Sequence, residues 1–180
     1  PAEKARMLAE SKKYSQALTS ISEALTINPD LPILLSNKAG YLIFSGYNDE
    51  AVSYADKALK IDPQFSSAYI QKAHALVNLG KIDDAESVLD IADKTIPENA
   101  DILKMQANLF IRTGSYNSGL EKINRVVMIT PKDDEAWSLK GAVHAYLNEK
   151  DNAVKAFEKA VKLNPKQKTY RTNLKAVLRT

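Results

Sequence analysis

Two histidines, two runs of adjacent carboxylates and one stripe of lysines are the residues of this chain whose chemistry could be put to use. His74 and His144 stand far apart in the chain, and His74 precedes no carboxylate at metalloprotease spacing. Asp83-Asp84 and Asp133-Asp134-Glu135 are close enough for acid and base work, but they stand where helices are expected to begin. Negative charge is favoured there by the helix dipole, so capping is the better reading. With no Cys there is no thiol nucleophile, no disulfide and no Cys-ligated metal, and no glycine pattern suits a phosphate-cradling loop. The chain is therefore expected not to be an enzyme and to have no catalytic residue, cofactor or metal. Lys155, Lys159, Lys162 and Lys166 follow helical spacing and form one stripe. It has no stacking platform, Tyr170 being the only aromatic of the last helix, so a solvated face is expected rather than a nucleic-acid or membrane contact.

Composition frames this. The 180 residues are 44% hydrophobic and 26% charged, ordinary for a globular chain, and no run reaches the roughly 18 apolar residues of a membrane span. The chain reads as soluble, with the cytoplasm favoured although no signal fixes a compartment. It begins with Pro rather than Met, as expected of a piece of something longer. Residues 1–90 carry a net charge of −3 and residues 91–180 carry +6, with +7 concentrated in 150–180. The basic end leaves a charge-driven contact as an alternative role.

The elements that would position any site come from a period. Pro29, Pro63, Pro97, Pro131 and Pro165 recur at one constant interval. Gly46, Gly80 and Gly114 share a second column, in which Asn148 follows. Small residues fill three more: Ala5, Ala39, Ala73, Ala107 and Gly141; Ala17, Ala51, Ala85, Gly119 and Ala153; Ala24, Ala58, Ala92, Val126 and Ala160. Each unit reads as two short helices. The glycine closes the first by accepting positive φ, and the proline closes the second. The small columns let the two helices approach, while Leu35, Tyr69, Leu103 and Trp137 fill the space beside them. Helix pairs are expected at 1–28, 32–62, 66–96, 100–130 and 134–164, with a lone amphipathic helix at 167–179; the pair at 66–96 looks irregular near Asp93 to Ile96. Pro1 stands in the column of the large residues, so the first helix starts inside a repeat and its end is open to preceding repeats or to another copy.

In this period, and in Trp137, Gly141, Ala153, Phe157, Ala160 and Pro165, the chain resembles the tetratricopeptide repeat family. It departs from the family pattern at Lys140, with Lys4, Lys38 and Lys72 in the same column, and at His144. The resemblance implies an all-α, right-handed superhelical α-solenoid of about five helix-turn-helix repeats. One domain would span 1–180: a partial repeat 1–31, repeats 32–65, 66–99, 100–133 and 134–166, and a capping helix 167–180 with a polar outer face. It also implies a protein-interaction scaffold whose first helices line a concave groove for a peptide or helix of a partner protein.

Carried over by column, that groove would show Ser36, Gly40, Ile43 and Phe44; Ile70, His74, Val77 and Asn78; Lys104, Asn108, Ile111 and Arg112; and Ser138, Ala142, Ala145 and Tyr146. Phe44, His74, Asn78, Lys104, Asn108, Arg112 and Tyr146 are the candidate peptide-binding residues. Asn amides both donate and accept, and Lys104 and Arg112 suit ligand carboxylates. The family's grip on chaperone C-terminal tails is not expected, because Lys104 and Asn108 would need an Asn at Leu139 and basic residues at Thr169 and Asn173. Self-assembly through the N-terminal end, or service as a regulatory or targeting arm, are the alternatives.

Overall fold

Most helices in the computed structural model, which describes residues 1–179, stop at a glycine, asparagine or proline signal in the sequence; α1 stops instead with Lys12 at φ 58°. The chain divides into two compact units, 1–97 and 98–180. Unit 1 holds α1 (Ala2–Glu10), α2 (Tyr14–Ile27), α3 (Pro32–Phe44), α4 (Asn48–Ile61), α5 (Ser66–Asn78) and α6 (Ile82–Thr95). Unit 2 holds α7 (Ala100–Arg112), α8 (Tyr116–Ile129), α9 (Asp134–Tyr146), α10 (Lys150–Leu163) and α11 (Lys168–Arg179). Within each unit consecutive helices pack as antiparallel pairs, and α11 packs on α10 and touches α9. The fold is all-α, as the period requires, and the last residue of the expected capping segment, Thr180, lies outside the described residues.

The turn inside each pair depends on one backbone conformation. Gly46, Gly80 and Gly114 have φ of 85°, 76° and 80°, and Asn148 takes φ 59° in their column, as expected of its tolerance for the left-handed region. The residue after each sends its N–H five residues back: Tyr47 to the Leu42 carbonyl at 2.9 Å, Lys81 to Leu76 at 2.9 Å, Glu149 to His144 at 2.9 Å. This closure satisfies carbonyls that the helix end would otherwise leave open.

The expected irregularity near Asp93 to Ile96 is absent. Helix α6 has 14 residues and ends at Thr95, in column with Ile27 and Ile61, because Ala92 stays buried and its carbonyl receives the Ile96 N–H. What departs is the residue after the proline: Glu98 takes φ 60°.

Packing follows the small columns. Ala39, Ala51, Ala58 and Ala73 in unit 1, and Ala107, Val126, Ala153 and Ala160 in unit 2, have no exposed surface. The tightest approach is at Gly141, where an added Cβ would lie 2.8 Å from the Phe157 ring. Larger side chains complete the cores, including Ile21 and Leu35 in unit 1 and Leu103, Ile123 and Val143 in unit 2. Full burial of one such side chain stabilises by about 1.5–3 kcal/mol.

Candidate functional site

In unit 1 the last residue of a first helix meets the opening residue of the preceding second helix. The Phe44 ring, closing α3, stacks on Tyr14 of α2, with centroids 4.8 Å apart and planes within 9°. One period later the same two positions are amides: Asn78 Nδ2 of α5 donates to Asn48 Oδ1 of α4 at 3.1 Å. Phe44 remains 68% exposed, so its outer face is free for contact while Tyr14 fixes its orientation. His74 is exposed one turn before Asn78, on the same face of α5. Among the expected lining residues, Ser36, Gly40 and Val77 are buried. Ser36 Oγ lies 3.0 Å from Ser67 Oγ, so this position joins neighbouring first helices and does not meet solvent.

Unit 2 repeats the aromatic arrangement. Tyr146, closing α9, stacks on Tyr116 of α8 with centroids 4.8 Å apart and planes within 5°, and it is 57% exposed. Lys104, Asn108 and Arg112 rise along one face of α7, and Asn108 and Arg112 are exposed. Lys104 is in a different situation. Its Nζ lies 3.0 Å from Asp133 Oδ2, 3.4 Å from Asp101 and 3.6 Å from Glu135. Burial pulls its pKa down, but the Asp133 hydrogen bond and the three carboxylates outweigh that and raise it. Asp133 is itself fixed, because its other oxygen caps α9 by accepting from the Ala136 N–H at 2.9 Å. Ser138, like Ser36, is buried. An open cavity of about 390 Å³ borders Tyr146, lined by Ala142 and Ala145 of α9 and by Asn173, Ala176 and Val177 of α11.

The structure thus brings Asn108 and Arg112 together on α7, with Lys104 below them held by its own chain's acids. It gives Phe44, Asn78 and Tyr146 partners that sequence reasoning missed: Tyr14, Asn48 and Tyr116. Each partner lies just under one period upstream, and all three share one column, which was the available signal. His144 is 7% exposed and its Nδ1 lies 2.6 Å from Glu149 Oε2, a satisfied position in the packing. The Asp133 run caps α9, and Asp134 also receives the Asn164 amide at 3.0 Å. Among the described residues no group of three or more His, Asp or Glu could hold a metal, and no helix is long and apolar enough to cross a membrane.

Helix pairs of fixed length, closed by a left-handed residue and a proline in constant phase, define a helical-repeat protein. Profiles of the tetratricopeptide repeat match residues 42–109 and 134–167, and the chain belongs to that family, whose members generally serve as protein–protein interaction modules.

Solved structures agree on the fold. A thermophilic tetratricopeptide repeat protein from Thermus thermophilus superposes with a TM-score of 0.86 at 20% identity, covering 100% of this chain and 98% of that one. YrrB, described as having an unusual peptide-binding site, gives 0.66 at 17% identity over 97% of this chain and 90% of its own. MamA gives 0.70 at 19% identity over 92% and 97%. No curated protein sequence matches the chain.

Proposed function

We propose that the chain is a non-enzymatic interaction module that takes a peptide or helix of a partner protein on the faces of its first helices, with Phe44 the apolar anchor of unit 1 and Tyr146 that of unit 2. The observation that carries this reading is the pair of stacked, outward-facing aromatics. A ring that keeps more than half its surface in water, yet is fixed by a second ring beneath it, loses little conformational freedom on binding. Aromatic residues held in this way dominate many interfaces.

Around Tyr146, the Ala142, Ala145 and Ala176 side chains are short and leave room for an apolar ligand side chain. On α7, Arg112 supplies a charged, forked donor and Asn108 an amide for ligand carboxylates or backbone. His74 and Asn78 offer polar contacts on α5. Lys104 supports Asp133 and contributes its charge to the surface only in part.

The test is capture of a partner from the source extract on the immobilised chain, beside Phe44→Ala/Tyr146→Ala and Asn108→Ala/Arg112→Ala variants. A protein retained by the wild type and lost from both variants supports the reading. Equal retention by all three overturns it.

A further inference from the structure

A cavity of about 330 Å³ opens on unit 2, with none of its lining shared with the one that borders Tyr146. It is lined by Asn124 of α8, by Trp137, Lys140 and His144 of α9, and by Asn152, Lys155 and Ala156 of α10, with no carboxylate among them. Two ammonium groups lie by the Trp137 ring, Lys140 Nζ 5.3 Å and Lys159 Nζ 5.9 Å from its centroid. Burial pushes the Lys140 pKa down, since nothing anionic offsets the lost hydration. None of the acids on or beside α10 lines the cavity, and Glu149 is already engaged by His144 Nδ1 at 2.6 Å and by the Asn152 amide at 3.1 Å.

One other repeat places an acid beside the corresponding lysine. Two periods earlier, Lys72 Nζ sits 2.7 Å from Asp56, and the residue in the Asp56 column that faces Lys140 is Asn124. Four periods earlier, a smaller cavity of about 210 Å³ is lined by Lys4, Leu8, Thr19, Ser20, Gln16 and Glu23. In those columns Glu23 has become Lys159, Thr19 has become Lys155 and Leu8 has become His144. Three periods earlier, Tyr54 stands in the Ala156 column, with Lys38 packed 4.3 Å over its ring. Around the open space stand Lys140, Lys155 and two side-chain amides, with Lys159 beside Trp137.

We propose that this cavity binds a phosphate group, inorganic or carried as a phosphate monoester, through Lys140 and Lys155 with the Asn124 amide as a neutral donor. A dianion suits it better than a single carboxylate. Phosphate has enough oxygens to meet both ammonium groups and an amide at once, and its charge offsets cations that line a cavity without a carboxylate in its lining. Lys159, held over Trp137, adds to the local potential.

The test is an NMR titration of the full chain with inorganic phosphate at constant ionic strength, followed by a phosphoserine peptide. Saturable shifts at the Trp137 indole N–H and the Asn124 and Asn152 amides are expected. Lys140→Met should weaken binding by about tenfold, as loss of one charge-assisted bond would. Asn124→Asp, which restores the acid that faces Lys72, should abolish it, whereas Lys175→Met on α11 should leave it unchanged. Lys155→Met gives a second reading if Lys140→Met lowers stability. Tighter binding of the peptide names a phosphorylated chain as the source, and tighter binding of the free ion names phosphate itself. The proposal is overturned by a linear, chloride-like response, by full binding in Asn124→Asp, or by an oligonucleotide that binds tighter than either and ignores that substitution.

Discussion

Tyr116 and Tyr146, just under one period apart in sequence, stack with ring centroids 4.8 Å apart and planes 5° from parallel. One opens α8 and the other closes α9, so the stack ties the second helix of one repeat to the first helix of the next. Tyr116 is half-buried and Tyr146 exposed, which makes Tyr116 a positioning residue for the proposed anchor. Tyr116→Leu should cost about 0.5–1.5 kcal/mol of stability, the range for an aromatic pair, and should weaken partner binding although the shorter side chain would touch no ligand. A thermal melt and a binding isotherm check the two effects separately. Unchanged affinity in a folded Tyr116→Leu protein would remove Tyr146 as the anchor.

Two buried helical glycines in neighbouring columns should respond in opposite directions to alanine. At Gly141 an added Cβ meets the Phe157 ring at 2.8 Å, and Phe157 is itself 2% exposed, so the packed ring would have to shift to admit it. Gly141→Ala should destabilise by about 1–3 kcal/mol, the usual range for overpacking a core. At Gly40 the nearest atoms belong to the Gln71 side chain at 3.4–3.5 Å, an ordinary contact. Gly40→Ala should be neutral or gain up to about 1 kcal/mol from helix propensity. Urea melts of the two variants compare them.

The helix pairs are legible in the sequence because each boundary is a local signal repeated in phase: Pro63 and Pro131 after second helices, Gly80 and Asn148 after first ones. Tertiary pairing is less legible. The lysine column departs from the family pattern, and its logic lies in another column. Lys38 Nζ donates to Ser22 Oγ at 2.9 Å and Lys72 pairs with Asp56 at 2.7 Å, both partners standing on the preceding second helix in one shared column. Half-buried amines are stable there because an oxygen waits for them. Ser36 escapes a reading by column for a related reason: α5 approaches α3 closely enough to cover it, and periodicity alone carries no distance. At α6 the sequence irregularity affects the residue after Pro97 and not the helix end.

Lys104 offers a third prediction, directed at its role within unit 2. Its ammonium joins the N-cap of α9 to α7 through Asp133. Lys104→Met should destabilise by about 1–2 kcal/mol, more than an exposed ion pair is worth, since Asp133 would keep its charge at a half-buried site without its cation. Lys104→Met/Asp133→Asn should recover part of that loss, as Asn can still cap the helix. A double-mutant cycle by chemical denaturation measures the coupling, and additive losses would show that the pair is incidental.

The docking of α11 should carry a pH signature. Tyr170, 8% exposed, hydrogen-bonds the Asp134 carboxylate, which Asn164 also holds. Burial, then the Asp134 bond, push the Tyr170 phenol from its ordinary 10.0 to about 12, while the Tyr170 and Asn164 bonds lower Asp134 below its ordinary 3.8. A raised phenol means that the fold favours the protonated form, so that stability is complete below pH 10 and is lost as pH climbs through about 12. A lowered carboxyl has the opposite sense: its contribution is present above 3.8 and disappears as pH falls below that value. Tyr170→Phe should therefore flatten the alkaline limb, leaving the parts that the raised Tyr41 phenol and the raised Lys104 ammonium contribute, and should weaken the acid limb as well. Denaturation midpoints of the full chain from pH 3 to 12 read both limbs. An alkaline limb unchanged in Tyr170→Phe would mean that this hydroxyl does not hold the last helix in place.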